Sequence, residues 1–139
     1  MNNAPIGVFD SGLGGLTVVR SLIDTLPHES LVYLGDTAHT PYGSRTVAEA
    51  RELTLAGLDA LVELGAKMLV IACNTATATT IADAQERYWG QLGIPVVEVI
   101  IPAARKAAIE SKGGRIGVIA TEATVNSDAY GRALNCAAH

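Results

Sequence analysis

Cysteine is scarce in this chain of 139 residues: there are two, Cys73 and Cys136, in unlike contexts. That excludes a disulfide-stapled scaffold and leaves free thiols of a reducing compartment as the expectation. The three histidines, His28, His39 and His139, are scattered and share no metal-ligand spacing with the cysteines, so no metal is expected. Aromatic residues amount to 4% and no basic cluster interleaves with them, which argues against a nucleic-acid surface. No apolar run approaches the roughly 20 residues of a membrane span. The start, Met1 to Pro5, lacks the positive region and apolar stretch of a signal peptide. Together these absences lead us to expect a cytoplasmic protein whose partner is a small molecule.

What the chain does have is apolar bulk. Hydrophobic residues make up 49% and charged ones 17%, with a net charge of -4, which suits a well-buried core and not a disordered chain. Five short apolar runs read as buried parallel strands: Ile6 to Phe9, Leu31 to Leu34, Met68 to Ala72, Val96 to Ile100 and Ile116 to Ala120. Helical stretches lie between them, from about Leu16 to Leu26, Val47 to Leu64, Thr77 to Leu92 and Pro102 to Lys112, and a last one begins near Asp128. Thr46 with Glu49 three residues on forms a capping box that marks the start of the second helix. Strict alternation of this kind implies an α/β fold with a doubly wound parallel sheet. Its ligands should gather beyond the carboxyl ends of the strands.

Those carboxyl ends carry small polar residues: Asp10 Ser11, Asp36 Thr37, Cys73 Asn74 Thr75 and Thr121 Glu122 Ala123 Thr124. Cys73 is the sharpest of them. At a strand-to-helix turn, exposed backbone N–H groups and the positive end of the helix favour an anionic sulfur, the form that serves as nucleophile or base. The bland alternative is a small buried hydrophobe, but Asn74, Thr75, Thr77, Thr79 and Thr80 crowd this turn more than one helix cap requires. The run Asp10 Ser11 Gly12 Leu13 Gly14 Gly15 is no dinucleotide loop, because Thr17 breaks the glycine pattern, and no Gly-Lys-Ser/Thr follows. Its glycines suit close approach of the backbone to a ligand, with Asp10 and Ser11 supplying side chains. A plain N-cap with a flexible turn is the alternative. In the loop His39 to Arg45, Tyr42 and the Gly43 backbone can wall a ligand, although an exposed loop tyrosine is equally common. Cys136, among alanines near the end, has no such setting.

A weak internal echo links Ile6 Gly7 Val8 Phe9 Asp10 Ser11 to Ile116 Gly117 Val118 Ile119 Ala120 Thr121. If it marks a duplicated unit, a counterpart of Cys73 would fall near position 184, beyond the 139 residues of this chain.

The segments Gly7 to Leu16, Tyr33 to Asp36, Pro41 to Gly43 and Ala72 to Ala76, with Gly117 to Thr124, resemble the bacterial glutamate racemases of the aspartate/glutamate racemase superfamily. The likeness covers nearly the whole chain but only about the first half of a family member. It implies cofactor-independent interconversion of L- and D-glutamate by two thiols, supplying D-glutamate for peptidoglycan. By position, the resemblance makes Cys73 the base on the D-glutamate face and has Asp10 help handle its proton. It makes Ser11, Tyr42, Gly43, Asn74 and Thr75 substrate-binding, with Thr121 and Thr124 in a motif that also contributes. The second cysteine of the family lies in the half not represented here, so little or no racemisation is expected of this chain alone. Residues 1–99 then read as a first domain lacking its C-terminal return segment, and 100–139 as the start of a second, similar one. An orphaned strand and helix would expose apolar surface and favour association into a homo-oligomer. Two other readings remain open at this point. One is a non-catalytic binding or regulatory fragment, or pseudoenzyme, of the same fold. The other is a cysteine-nucleophile hydrolase, which would need a histidine paired with Cys73.

Overall fold

The computed structural model describes residues 2–137. Four parallel strands, β1 (Ile6–Asp10), β2 (Leu31–Gly35), β3 (Met68–Ile71) and β4 (Val96–Glu98), form one sheet in the order β2-β1-β3-β4. Between them run α1 (Leu16–Thr25), α2 (Val47–Glu63) and α3 (Asn74–Ala84). After β4 come α4 (Ile100–Ser111), α5 (Glu122–Asn126) and α6 (Ala129–Ala137).

All five residues of β1 are buried, as expected of a central strand covered on both faces. Period-2 alternation sorts its neighbours into two cores. Phe9, Leu69 and Ile71 pack with Leu58 and Leu61 of α2, while Ile6, Val8 and Val70 pack with Val18, Val19 and Leu22 of α1. Each fully buried side chain of this size contributes about 1.5–3 kcal/mol of transfer free energy. Helices on both faces make the sheet doubly wound, as the alternation of the sequence predicts. The capping box also forms: Glu49 N donates to Thr46 Oγ1 at 3.2 Å, and Thr46 N donates to Glu49 Oε2 at 3.0 Å.

Three expectations need correction. The run Val96 to Ile100 is strand only as far as Glu98, because the Glu98 carboxylate accepts from Ile100 N at 2.6 Å and Ile101 N at 3.0 Å and so starts α4. The third helix begins at Asn74, not Thr77, and passes into a π-helical stretch, Gln85–Gly90. Ile116 to Ala120 forms no strand, and Ile119 is fully exposed. A strand needs a hydrogen-bonded neighbour, and among the described residues none lies beside this segment. The exposed apolar surface expected there is present, on Ile116, Val118 and Ile119. Among the described residues no helix is long and apolar enough to cross a membrane.

Candidate active site

The chain leaves β1 for β2 on one side and then crosses to β3 on the other, so the loops after β1 and β3 part and leave a crevice. An open cleft of about 540 Å³ lies there, lined among others by Asp10, Ser11, Tyr42, Gly43, Cys73, Asn74, Thr75 and Thr121. Eight of the nine side chains or backbones singled out in the sequence therefore meet in one place. The ninth, Thr124, is buried behind the wall.

Cys73 occupies the N-cap position of α3 in extended backbone geometry, and its Sγ accepts from Ala76 N at 3.3 Å. The thiol thus faces the unsatisfied amides of the first helical turn, where negative charge is stabilised. Ser11 Oγ lies 3.1 Å from the same sulfur. Asp10, next to Ser11 and 4% exposed, accepts from Gly15 N at 2.6 Å and from the Tyr33 hydroxyl at 2.8 Å, both on Oδ2. Gly15 is required for this approach: a Cβ there would lie 2.8 Å from Asp10 Cγ and 2.9 Å from Ala72 Cβ.

A second layer fixes the loop that carries Tyr42. The buried Tyr42 ring stands 6.2 Å from that of Phe9, and its hydroxyl donates to Asp36 Oδ2 at 2.5 Å. Burial, then the hydrogen bond and charge of Asp36, push the Tyr42 hydroxyl well above its ordinary range, so it remains a donor. For Asp36, burial alone would raise the carboxyl. The Tyr42 hydroxyl and His39, 2.8 Å away through Nδ1, outweigh burial and hold it below the usual carboxylate range. The Thr40 hydroxyl donates to Ser11 O and ties this loop to the one after β1. On the opposite rim, Thr75 Oγ1 meets Thr121 Oγ1 at 2.8 Å and Thr124 Oγ1 at 3.4 Å, and Thr121 meets Thr124 at 3.1 Å. Gly43 O accepts from Ala123 N at 3.4 Å, and a Cβ on Gly43 would sit 2.7 Å from Thr121 Cβ. Asn74 is exposed and accepts from the Tyr130 hydroxyl at 2.6 Å. Among the described residues no group of three or more His, Cys, Asp or Glu is placed to hold a metal ion. Cys136 is exposed on α6 and lines a different groove, between α3, α4 and α6.

Residues 6–137 match the profile of the Asp/Glu/hydantoin racemase family. The chain belongs to this family. It is 62% identical over 130 residues to the glutamate racemase of Beutenbergia cavernae, covering 94% of this chain and 44% of that protein. Among solved racemases it resembles the glutamate racemase isoform RacE1 of Bacillus anthracis, with a TM-score of 0.90 at 45% identity, covering 97% of this chain and 49% of the other. It also resembles the Francisella tularensis glutamate racemase in complex with D-glutamate, with a TM-score of 0.86 at 38% identity, covering 99% and 50%. The chain spans about half the length of the racemases it matches.

Several side chains that support this racemase-family cleft or shape the segments around it escape a reading of the sequence alone. Tyr33 looks like one more β-strand aromatic, yet its hydroxyl reaches Asp10. Thr40 and Tyr130 lie in a loop and a late helix, and only the fold brings them against Ser11 and Asn74. Glu98 sits inside an apolar run, where a lone carboxylate is the one signal that the strand stops and a helix is being capped.

Proposed function

We propose that this chain carries one half of a two-thiol glutamate racemase site, with Cys73 as the base that removes the α-proton of D-glutamate. The observation that carries the reading is the meeting of Ser11 Oγ and Cys73 Sγ at 3.1 Å, at the N-cap of α3 and beside a buried Asp10. An α-proton of an amino acid is far less acidic than a thiol, so its removal demands close positioning and preorganised dipoles, worth several kcal/mol each. The Ala76 amide opening α3 and the Ser11 hydroxyl hold the sulfur in place at the mouth of the cleft. Asp10, held by Gly15 and Tyr33, takes part in handling the proton that the sulfur acquires. Asn74, Thr75, Thr121 and the Gly43 backbone offer donors and acceptors around the rim for the substrate's charged groups, and Tyr42 walls the cleft. Thr124 acts through Thr75 and Thr121. None of these roles calls for a cofactor.

Residues 1–99 form the first racemase domain and 100–139 begin the second. The complete reaction takes place in the cytoplasm and supplies D-glutamate for peptidoglycan. Inversion needs a second thiol on the opposite face of the substrate, and Cys136, facing another groove, is not placed to provide it. By itself the chain is expected to exchange the α-proton of D-glutamate without inverting it. A hydrolase reading is disfavoured because His39, in the loop that carries Tyr42, is paired through Nδ1 with Asp36 and does not line the cleft.

The test is to incubate the chain with D- and L-glutamate in deuterium oxide and follow the α-proton by NMR and the enantiomer by chiral chromatography. Wash-in of deuterium into D-glutamate, abolished by Cys73→Ser, supports the reading. Rapid interconversion of the enantiomers by this chain would refute the half-site, and no wash-in at all would refute Cys73 as a competent base here.

A further inference from the structure

We infer that Tyr33 is a positioning residue for Asp10, fixing which carboxylate oxygen is left to the cleft. This rests on the reading of Asp10 given above. Both bonds that Asp10 accepts, from Gly15 N at 2.6 Å and from the Tyr33 hydroxyl at 2.8 Å, fall on Oδ2. Among the described residues Oδ1 has no partner, and Asp10 lines the cleft, so Oδ1 is the oxygen available for proton traffic there. With Oδ2 tied at two points, rotation of the carboxyl about its last bond is arrested.

The architecture of β2 makes this possible. Parallel pairing sets Tyr33 beside Val8 and Gly35 beside Asp10, so the tyrosine rises from two residues below and leans toward the end of β1. Gly35 leaves the space it needs: a Cβ there would stand 2.4 Å from Gly12 O and 3.2 Å from the Tyr33 hydroxyl. The ring packs against the buried cluster of Ile6, Val8, Val70 and Ala72, which fixes its aim.

The hydroxyl has one hydrogen and two acceptors at the same distance, Asp10 Oδ2 and Gly12 O, each at 2.8 Å. Either choice keeps the hydroxyl hydrogen paired, and the acceptor it takes decides whether Oδ2 holds one donor or two. Burial, then the Asp10 hydrogen bond and charge, push the Tyr33 hydroxyl above its ordinary range, so it keeps the hydrogen it needs for this.

The test compares Tyr33→Phe, Asp10→Asn and the double variant, each in the full chain. Phenylalanine retains the ring and its packing. The Gly15 amide reports on Oδ2 by 1H–15N NMR without any need for catalysis. Tyr33→Phe is expected to move that resonance, and to move it no further once Asp10→Asn is present. In the deuterium wash-in assay Tyr33→Phe is expected to slow turnover about tenfold, the loss corresponding to one hydrogen bond to a charged group. The KM for D-glutamate should stay unchanged, and the two substitutions should be non-additive. An unmoved Gly15 amide, or independent additive effects of the two substitutions, would overturn the inference. If the unsubstituted chain shows no wash-in, the proposed function fails, and the amide cycle still decides the role of Tyr33.

Discussion

Ser11 Oγ and Cys73 Sγ stand 3.1 Å apart although 62 residues separate them in sequence. They meet because each lies just beyond the end of a strand, and the two strands are neighbours in the sheet. Cys73→Ser should lower deuterium wash-in into D-glutamate at least about a hundredfold, the range of a lost general base. Ser11→Ala removes one partner of the sulfur and leaves the amides of α3 in place, so it should cost only several-fold. Both are read by the same proton-exchange assay.

The rim is held by hydroxyls, and Thr75→Val tests it. The substitution keeps the shape and removes bonds to Thr121 and Thr124, at a cost of about 1–2 kcal/mol. Amide exchange in α5 should speed up selectively, with β1 and β3 unaffected.

Gly57→Ala is expected to be costly for a reason unconnected with helix propensity. Its Cβ would fall 2.3 Å from Phe9 Cε2 in the main core. Overpacking of this kind typically costs about 1–3 kcal/mol, and the loss should appear as a lower thermal midpoint. Gly14→Ala is the control, since a Cβ there meets nothing within 4 Å and the backbone is not left-handed.

Acid should weaken the loop that carries Tyr42. The Asp36 carboxyl is held low in the folded chain, so it contributes stability at pH values above its unfolded value, near 4, and that contribution is lost as the pH falls through the folded value. Urea unfolding of the parent and Asp36→Asn proteins should differ at pH 7 and converge as the pH drops below about 4.

Alkali should act through three tyrosines. Burial raises Tyr33, Tyr42 and Tyr88 in the folded chain, and each is further raised by the carboxylate it bonds, Asp10, Asp36 and Asp59 respectively. A folded value above the unfolded one gives stability that is complete below the unfolded value, about 10, and declines as the pH rises past it. Phenolate absorbance should therefore lag until unfolding releases these residues together.

Much of the site was legible because its signals are local. An apolar run closed by Asp10 Ser11, or by Cys73 Asn74 Thr75, states both the strand and the chemistry at its tip, and Thr46 with Glu49 states where α2 starts. The parts that were not legible depend on partners distant in sequence. Ile116 to Ala120 has the composition of a strand, but pairing is a property of two segments, and composition reports only one. Tyr33 alternates correctly for β2, so nothing in the pattern separates a packing aromatic from one whose hydroxyl serves Asp10. Thr124 shares a motif with Thr121, yet one turn of α5 directs it to the back of the wall.

That wall has an unusual attachment. Among the described residues it is joined to the rest of the cleft through the threonine hydroxyls, the Ala123–Gly43 backbone bond and the Tyr130–Asn74 hydrogen bond, and by no rung of the sheet. Its detachment is accordingly a smaller event than global unfolding, and a molecule gripping both rims draws on the same free energy that keeps the wall shut. Occupancy of the cleft and anchorage of the C-terminal helices are thus two readouts of a single equilibrium, and binding will be felt at Val125 and Ser127, which no ligand in the cleft would touch.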